Sequence, residues 1–217
     1  MASPGISILK KVGTDISGAG RFDRDSLLVT LTVGDRDKQI AALRQIALGG
    51  EHSAELMLAE PVSRLMGHQD PEICVAAVRA MGCLGLVALR YAEDIADFLL
   101  RHPNEACRCA ALETLGKMGA GLPRSVRQAV AARLADPETS VRRAAADSLS
   151  AMAASGHAAA VKAALEDSAL SVRAGALEAL ARFIAISEEA ESVCPPETLL
   201  PHISEALASG RHRSAAL

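Results

Sequence analysis

The chain has 217 residues, half of them hydrophobic but only 2% aromatic, with no Trp and a formal net charge of −3. An apolar half built from Ala, Leu and Val suits closely packed helices and leaves few rings to line a pocket for a flat ligand. There is no global positive field for nucleic acid, the longest apolar run (80–89) is far short of the roughly 20 residues a membrane helix needs, and five Cys at irregular spacing point to reduced thiols rather than a disulfide frame.

Residues 1–24 carry Gly5, Gly13, Gly18 and Gly20 with Pro4 and read as an N-terminal arm of little regular structure. Its apolar cluster of Ile6, Ile8, Leu9 and Val12 would dock either on a partner or on the protein itself. Neither a secretory-signal core nor an Arg-rich amphipathic pattern is present there. Ser26 to Leu31 predicts a short capping helix. Pairs of helices follow. The first of each pair is expected over 35–48, 70–84, 103–118, 137–153 and 168–185, and the second over 53–66, 87–101, 123–135, 156–166 and 197–208. Gly49-Gly50, Gly85, Gly119 with Gly121 and Pro123, and Ser155-Gly156 supply the helix-ending signals between them. The return links, such as Leu165-Glu166-Asp167, are so short that successive hairpins must stack side by side. The stretch 187–197, with Pro195-Pro196, lengthens the last turn and maps to one rim, where a solvated loop or a contact surface are both open. After Leu207 the chain reads as the start of a sixth first helix, so that a partner covers this end or the native chain continues.

One segment explains the pattern. In Asp136 to Ala153, the residues Val141, Ala144, Ala145, Ser148, Leu149 and Met152 form one helical stripe. With Asp136 as position 0, the frame repeats at Asp35, His68, His102 and Asp167. Position 5 is then Ile40, Ile73, Cys107, Val141 and Val172, position 13 is Leu48, Met81, Leu115, Leu149 and Leu180, and position 12 is small every time. A period of 31 to 34 residues is the sign of a solenoid whose units bury their faces only against one another. The expected fold is all-α, an α-α superhelix of about five hairpins over 25–210, with 211–217 as a tail.

The segments DPETSVRRAAADSLSAMA, HPNEACRCAALETLGKMG and DSALSVRAGALEALARF resemble HEAT repeats of the short, HEAT-like type, an armadillo-related family. The resemblance implies a hydrogen-bonded ladder between repeats, with Arg108, Arg142 and Arg173 as donors and Asp35, Asp136 and Asp167 as acceptors. Ala41 and Cys74 stand where the first two repeats would need Arg, so the ladder is expected only in the C-terminal half. Such charges fix register more than they add stability.

Catalytic alternatives meet residue-level objections. The iron hydroxylase built on this fold resembles a set of His-Glu dipeptides, and none of the six His here precedes Glu. His68 and His102 replace the capping Asp at position 0, about 10 Å apart by helix spacing, which is too far to share a metal. No C-x-x-C pair suggests zinc, and Gly13 to Gly20 lacks the Lys of a phosphate loop. The bilin-lyase branch of the family offers a maturation-factor alternative, without a recognisable aromatic pocket. No catalytic, metal or cofactor residue is therefore assigned.

The resemblance places second helices on the concave side. There, Arg90, Glu93, Asp94 and Asp97 make one helix net acidic, and Arg124, Arg127 and Arg133 make the next basic. A groove of alternating sign suits a folded protein with mixed charges, whereas a duplex demands a continuous basic stripe. The expected function is a protein-binding scaffold or accessory subunit of a hetero-complex in a reducing, intracellular compartment.

Overall fold

The computed structural model describes residues 24–49 and 57–204, and every regular element among them is helical. The expected N-terminal arm, the start of the first return helix, the presumed sixth helix and the tail lie outside the described residues. After α1 (Arg24–Val33), the first helices of successive hairpins are α2 (Arg36–Gly49), α4 (Pro71–Gly82), α6 (Glu105–Met118), α8 (Thr139–Ala151) and α10 (Leu170–Ile186). The return helices are α3 (Ala59–Leu65), α5 (Ala92–Arg101), α7 (Arg124–Ala132) and α9 (Ala158–Ala163), lengthened by 3-10 turns at Gly85–Tyr91, Arg133–Ala135 and Ala164–Glu166. Each first helix packs on the next one along the stack. The expected all-α solenoid is the architecture found.

The core follows the repeat. All five position-5 residues are buried, as are Met81, Leu115, Leu149 and Leu180 at position 13, and the buried set forms one continuous cluster along the array. Leu48 is the exception, at 88% exposure, while Ile46 two residues earlier is fully buried. The first repeat therefore starts two residues earlier than its Asp suggests. Asp35 directly precedes α2, as Asp70 precedes α4 and Asn104 precedes α6. In the other direction, α8 begins three residues after Asp136, so Pro137 precedes the helix instead of opening its first turn.

The seams between first helices are small against small. A Cβ added to Gly116 would stand 3.2 Å from the Ser148 backbone, and one added to Gly82 would stand 3.0 Å from the Thr114 methyl. The same hydroxyl residues reach across. Thr114 donates to the Val78 carbonyl at 2.9 Å and Ser148 to the Leu112 carbonyl at 2.7 Å, so buried position 12 satisfies its own polar group on the preceding repeat.

Helix termination also repeats. Gly85, Gly119 and Ala153 share position 17 and all adopt positive φ, at 60°, 76° and 50°. Glycine does this without steric cost; alanine does it under strain, held by the bond from Ala154 N–H to the Leu149 carbonyl. The fifth repeat has Ile184 there, and a β-branched residue fits the left-handed region worst. Accordingly α10 runs on to Ile186. The following stretch is more than a loop: Ser187 caps a short helix α11 (Glu188–Val193), and Ala190 and Cys194 are buried against the array. Its exposed face is acidic, which is why the sequence reads as solvated.

Candidate functional site

Two arginine forks clamp the aspartate of the following hairpin. Arg108 donates through Nε and Nη2 to Asp136 at 3.1 and 2.9 Å, and Arg142 does the same to Asp167 at 2.6 and 3.0 Å. The third nitrogen of each fork closes the turn of its own repeat. Nη1 of Arg108 reaches the His102 and Pro103 carbonyls, Nη1 of Arg142 the Asp136 and Pro137 carbonyls, and Nη1 of Arg173 the Asp167 and Ser168 carbonyls. Burial pushes the Asp136 carboxyl up, but hydrogen bonds from Arg108 and the Glu138 N–H, with the charges of Arg108 and Arg133, outweigh it and hold the group below its usual value. The hydrogen bond from Arg142 does the same for Asp167, against burial.

Asp35 does not join this ladder. Being two residues out of frame, it accepts instead from the Lys38 N–H at 3.0 Å and pairs with the Lys38 ammonium at 2.7 Å. The first two repeats are joined by a pair the sequence did not suggest, Arg36 to Asp70 at 2.6 Å, on an arginine that is half exposed.

His68 and His102 do the work of the missing aspartates. Nδ1 of each accepts from the backbone N–H two residues on, at 3.0 and 3.1 Å, as Asp136 and Asp167 do in their repeats. In the second repeat the Cys74 thiol takes the arginine's place and donates to the His68 carbonyl. Burial pushes the Cys107 thiol up to about 11 and raises Cys74 and Cys109 as well, which leaves them protonated and poorly nucleophilic. All five cysteines are free. Among the described residues, no group of three or more His, Cys, Asp or Glu is placed to hold a metal ion, and no helix is long and apolar enough to cross a membrane.

The return helices carry the unspent charge. Glu93, Asp94 and Asp97 of α5 line a cleft against Ser125 and Val126 of α7, with the Glu93 carboxylate 3.5 Å from the Ser125 hydroxyl. On the other side of α7, Arg124 and Arg127 line a second cleft of about 210 Å³ with Ser155, Gly156 and His157 from the next hairpin's turn. The Arg127 backbone N–H donates to the Pro123 carbonyl, but neither the Arg124 nor the Arg127 guanidinium has a hydrogen-bond or ion-pair partner among the described residues. Burial, and then the charges of Arg127 and Arg124, hold the His157 imidazole below its usual value. Two other surface candidates are placed elsewhere. Arg133 turns to Asp136 at 3.4 Å, and Arg90 lies over the Tyr91 ring at 5.5 Å. His157 was not singled out from the sequence, although it lies one repeat period beyond Arg124, the separation that brings equivalent edges together.

The described chain is thus a solenoid of stacked antiparallel hairpins, with a small-residue seam on one layer and charged clefts on the other. A family model described as HEAT repeats matches residues 58–150 and 92–181, and the chain belongs to that family. Among solved structures it is similar to an engineered protein (TM-score 0.63, 19% identity, covering 85% of this chain and 90% of that one). It is also similar to a designed armadillo repeat protein in complex with the peptide (KR)4 (0.62, 17%, 84% and 91%). A structure from work on TOG–tubulin binding specificity matches at a TM-score of 0.50 and 14% identity, covering 84% of this chain and 81% of that one. These likenesses show the fold. No curated protein matches the chain.

Proposed function

We propose that the protein is a binding scaffold, an accessory subunit that holds another protein against its return helices and performs no chemistry of its own. The observation that carries this reading is the pair of oppositely charged clefts flanking α7, acidic towards α5 and basic towards the turn before α9. The arginines of the ladder have their charge satisfied inside the array; Arg124 and Arg127 do not. Juxtaposed patches of opposite sign select a partner of complementary pattern and its orientation, and speed its approach, more than they add raw affinity. The same alternation disfavours a polyanion, which the three carboxylates of α5 would repel. In keeping with this, the designed armadillo protein of similar fold was solved with a charged peptide, (KR)4. The five free thiols favour a reducing compartment as the place of assembly.

The test is capture of the partner from the native source on the full chain, followed by the same capture with R124E/R127E and with E93K/D94K/D97K. Loss of the stoichiometric partner in both variants, with unchanged far-ultraviolet circular dichroism, is the expected result. A partner retained by both charge-reversed chains would move the binding surface elsewhere.

A further inference from the structure

The strongest unexplained feature of the molecule is the basic cleft itself. Arg124 and Arg127 come from the first turns of α7 and His157 from the turn that precedes α9, so two successive repeats bring three nitrogen-rich side chains to one cleft of about 210 Å³. The imidazole is held below its usual value by burial first and then by the charges of Arg127 and Arg124, in keeping with this shared lining. Arg124 is exposed and Arg127 part-buried, and no carboxylate, carbonyl or hydroxyl among the described residues meets either guanidinium, so their donors face the cleft unspent. Arg108, Arg142 and Arg143, by contrast, all rest on carboxylates. A cationic cleft left open in this way is arranged for an anion that arrives from outside.

We propose that this cleft is a phosphoryl-binding site, with Arg124 and Arg127 as forked donors to the oxygens and His157 as the third ligand. The chemistry selects the class. A phosphate monoester carries nearly two negative charges and three strong acceptor oxygens, enough for two planar guanidiniums and an imidazole together. A single carboxylate satisfies one fork. At about 210 Å³ the cleft is smaller than the roughly 300–1,000 Å³ of small-molecule pockets and has room for a phosphoryl group with part of what bears it. The phosphoryl group has two sources, a phosphorylated side chain of the bound protein or a free small phosphate. The inference rests on the reading of the return helices as the binding surface, and gives that surface its chemical key.

The experiment titrates the full chain, labelled with nitrogen-15, with inorganic phosphate, phosphoserine and aspartate at matched ionic strength. Saturable shifts of the Ser155, Gly156 and His157 amides are expected with both phosphates and only weakly with aspartate. R124Q/R127Q lowers the phosphate affinity roughly tenfold or more, the loss of two charge-assisted contacts, and H157Q lowers it less. Tighter binding of phosphoserine than of phosphate assigns the source to a modified partner; equal binding assigns it to free phosphate. Absence of saturable shifts, shifts that survive in R124Q/R127Q, or aspartate binding as tightly as phosphoserine overturns the proposal. Because these probes need no partner, phosphate binding to the native chain, combined with partner capture that survives charge reversal, would overturn only the placement of the partner on the return helices.

Discussion

The two halves of the array solve the same joining problem with different chemistry. From the third repeat onward, neighbouring hairpins are locked by bidentate arginine–aspartate pairs, Arg108 to a fully buried Asp136 and Arg142 to a nearly buried Asp167. Towards the N-terminus the same positions hold His68, Cys74 and His102, which satisfy their own turns, and the cross-repeat charge pairs rest on half-exposed arginines, Arg36 to Asp70 and Arg79 to Glu113. Helix termination runs the other way: Gly85 and Gly119 turn at no cost, whereas Ala153 is strained and Ile184 gives up the turn. Satisfying a turn and coupling two repeats are thus separable tasks. A solenoid can replace the buried clamp by an exposed pair at a junction because each unit needs only its neighbours.

The largest effect is expected at Asp136. Asp136→Ala strands the Arg108 guanidinium in a buried site and costs about 3–5 kcal/mol, measured as the shift in urea unfolding; hydrogen exchange should place the loss in α6 to α8 and spare α2 and α4. Acid attacks the same contrast. The Asp136 and Asp167 carboxyls are held below their usual value, so their contribution is full above the ordinary aspartate range near pH 4 and is lost as pH falls through the depressed values. Urea midpoints at pH 7 and pH 3 should therefore differ more for the native chain than for D136A. Next comes the seam: Gly116→Val forces α6 from the Ser148 backbone and costs about 1–3 kcal/mol, readable as a lowered Tm. Smaller and opposite in sign, Ala153→Gly relieves the left-handed alanine and adds about 0.5–1 kcal/mol. Arg36→Ala should change the urea midpoint least of all; a loss there equal to that of D136A would erase the distinction between the halves.

Much of this was legible in the sequence. The 3.6-residue stripes and the glycines at turns give the first helices closely, whereas the return helices α5 and α3 start later than expected, at Ala92 and Ala59; the resemblance to HEAT repeats points to Arg108, Arg142 and their partners. The first repeat misled because Asp35 looks like the turn aspartate but sits at the helix cap, and only the burial of Ile46 over Leu48 reveals the frame. The hydroxyls of Thr114 and Ser148 read merely as small residues; that they donate across a seam depends on how near Gly82 and Gly116 allow the backbones to come. The cleft of Arg124, Arg127 and His157 was half visible. Charge marked the arginines, but the histidine joins them only through the repeat period.

The arginine rungs all lie where a return helix hands over to the next first helix, along a single margin of the stack. Charge pins that margin, whereas single hydroxyl bonds from Thr114 and Ser148 hold the seams further along the first helices, so the ladder is the stiffer edge of the stack.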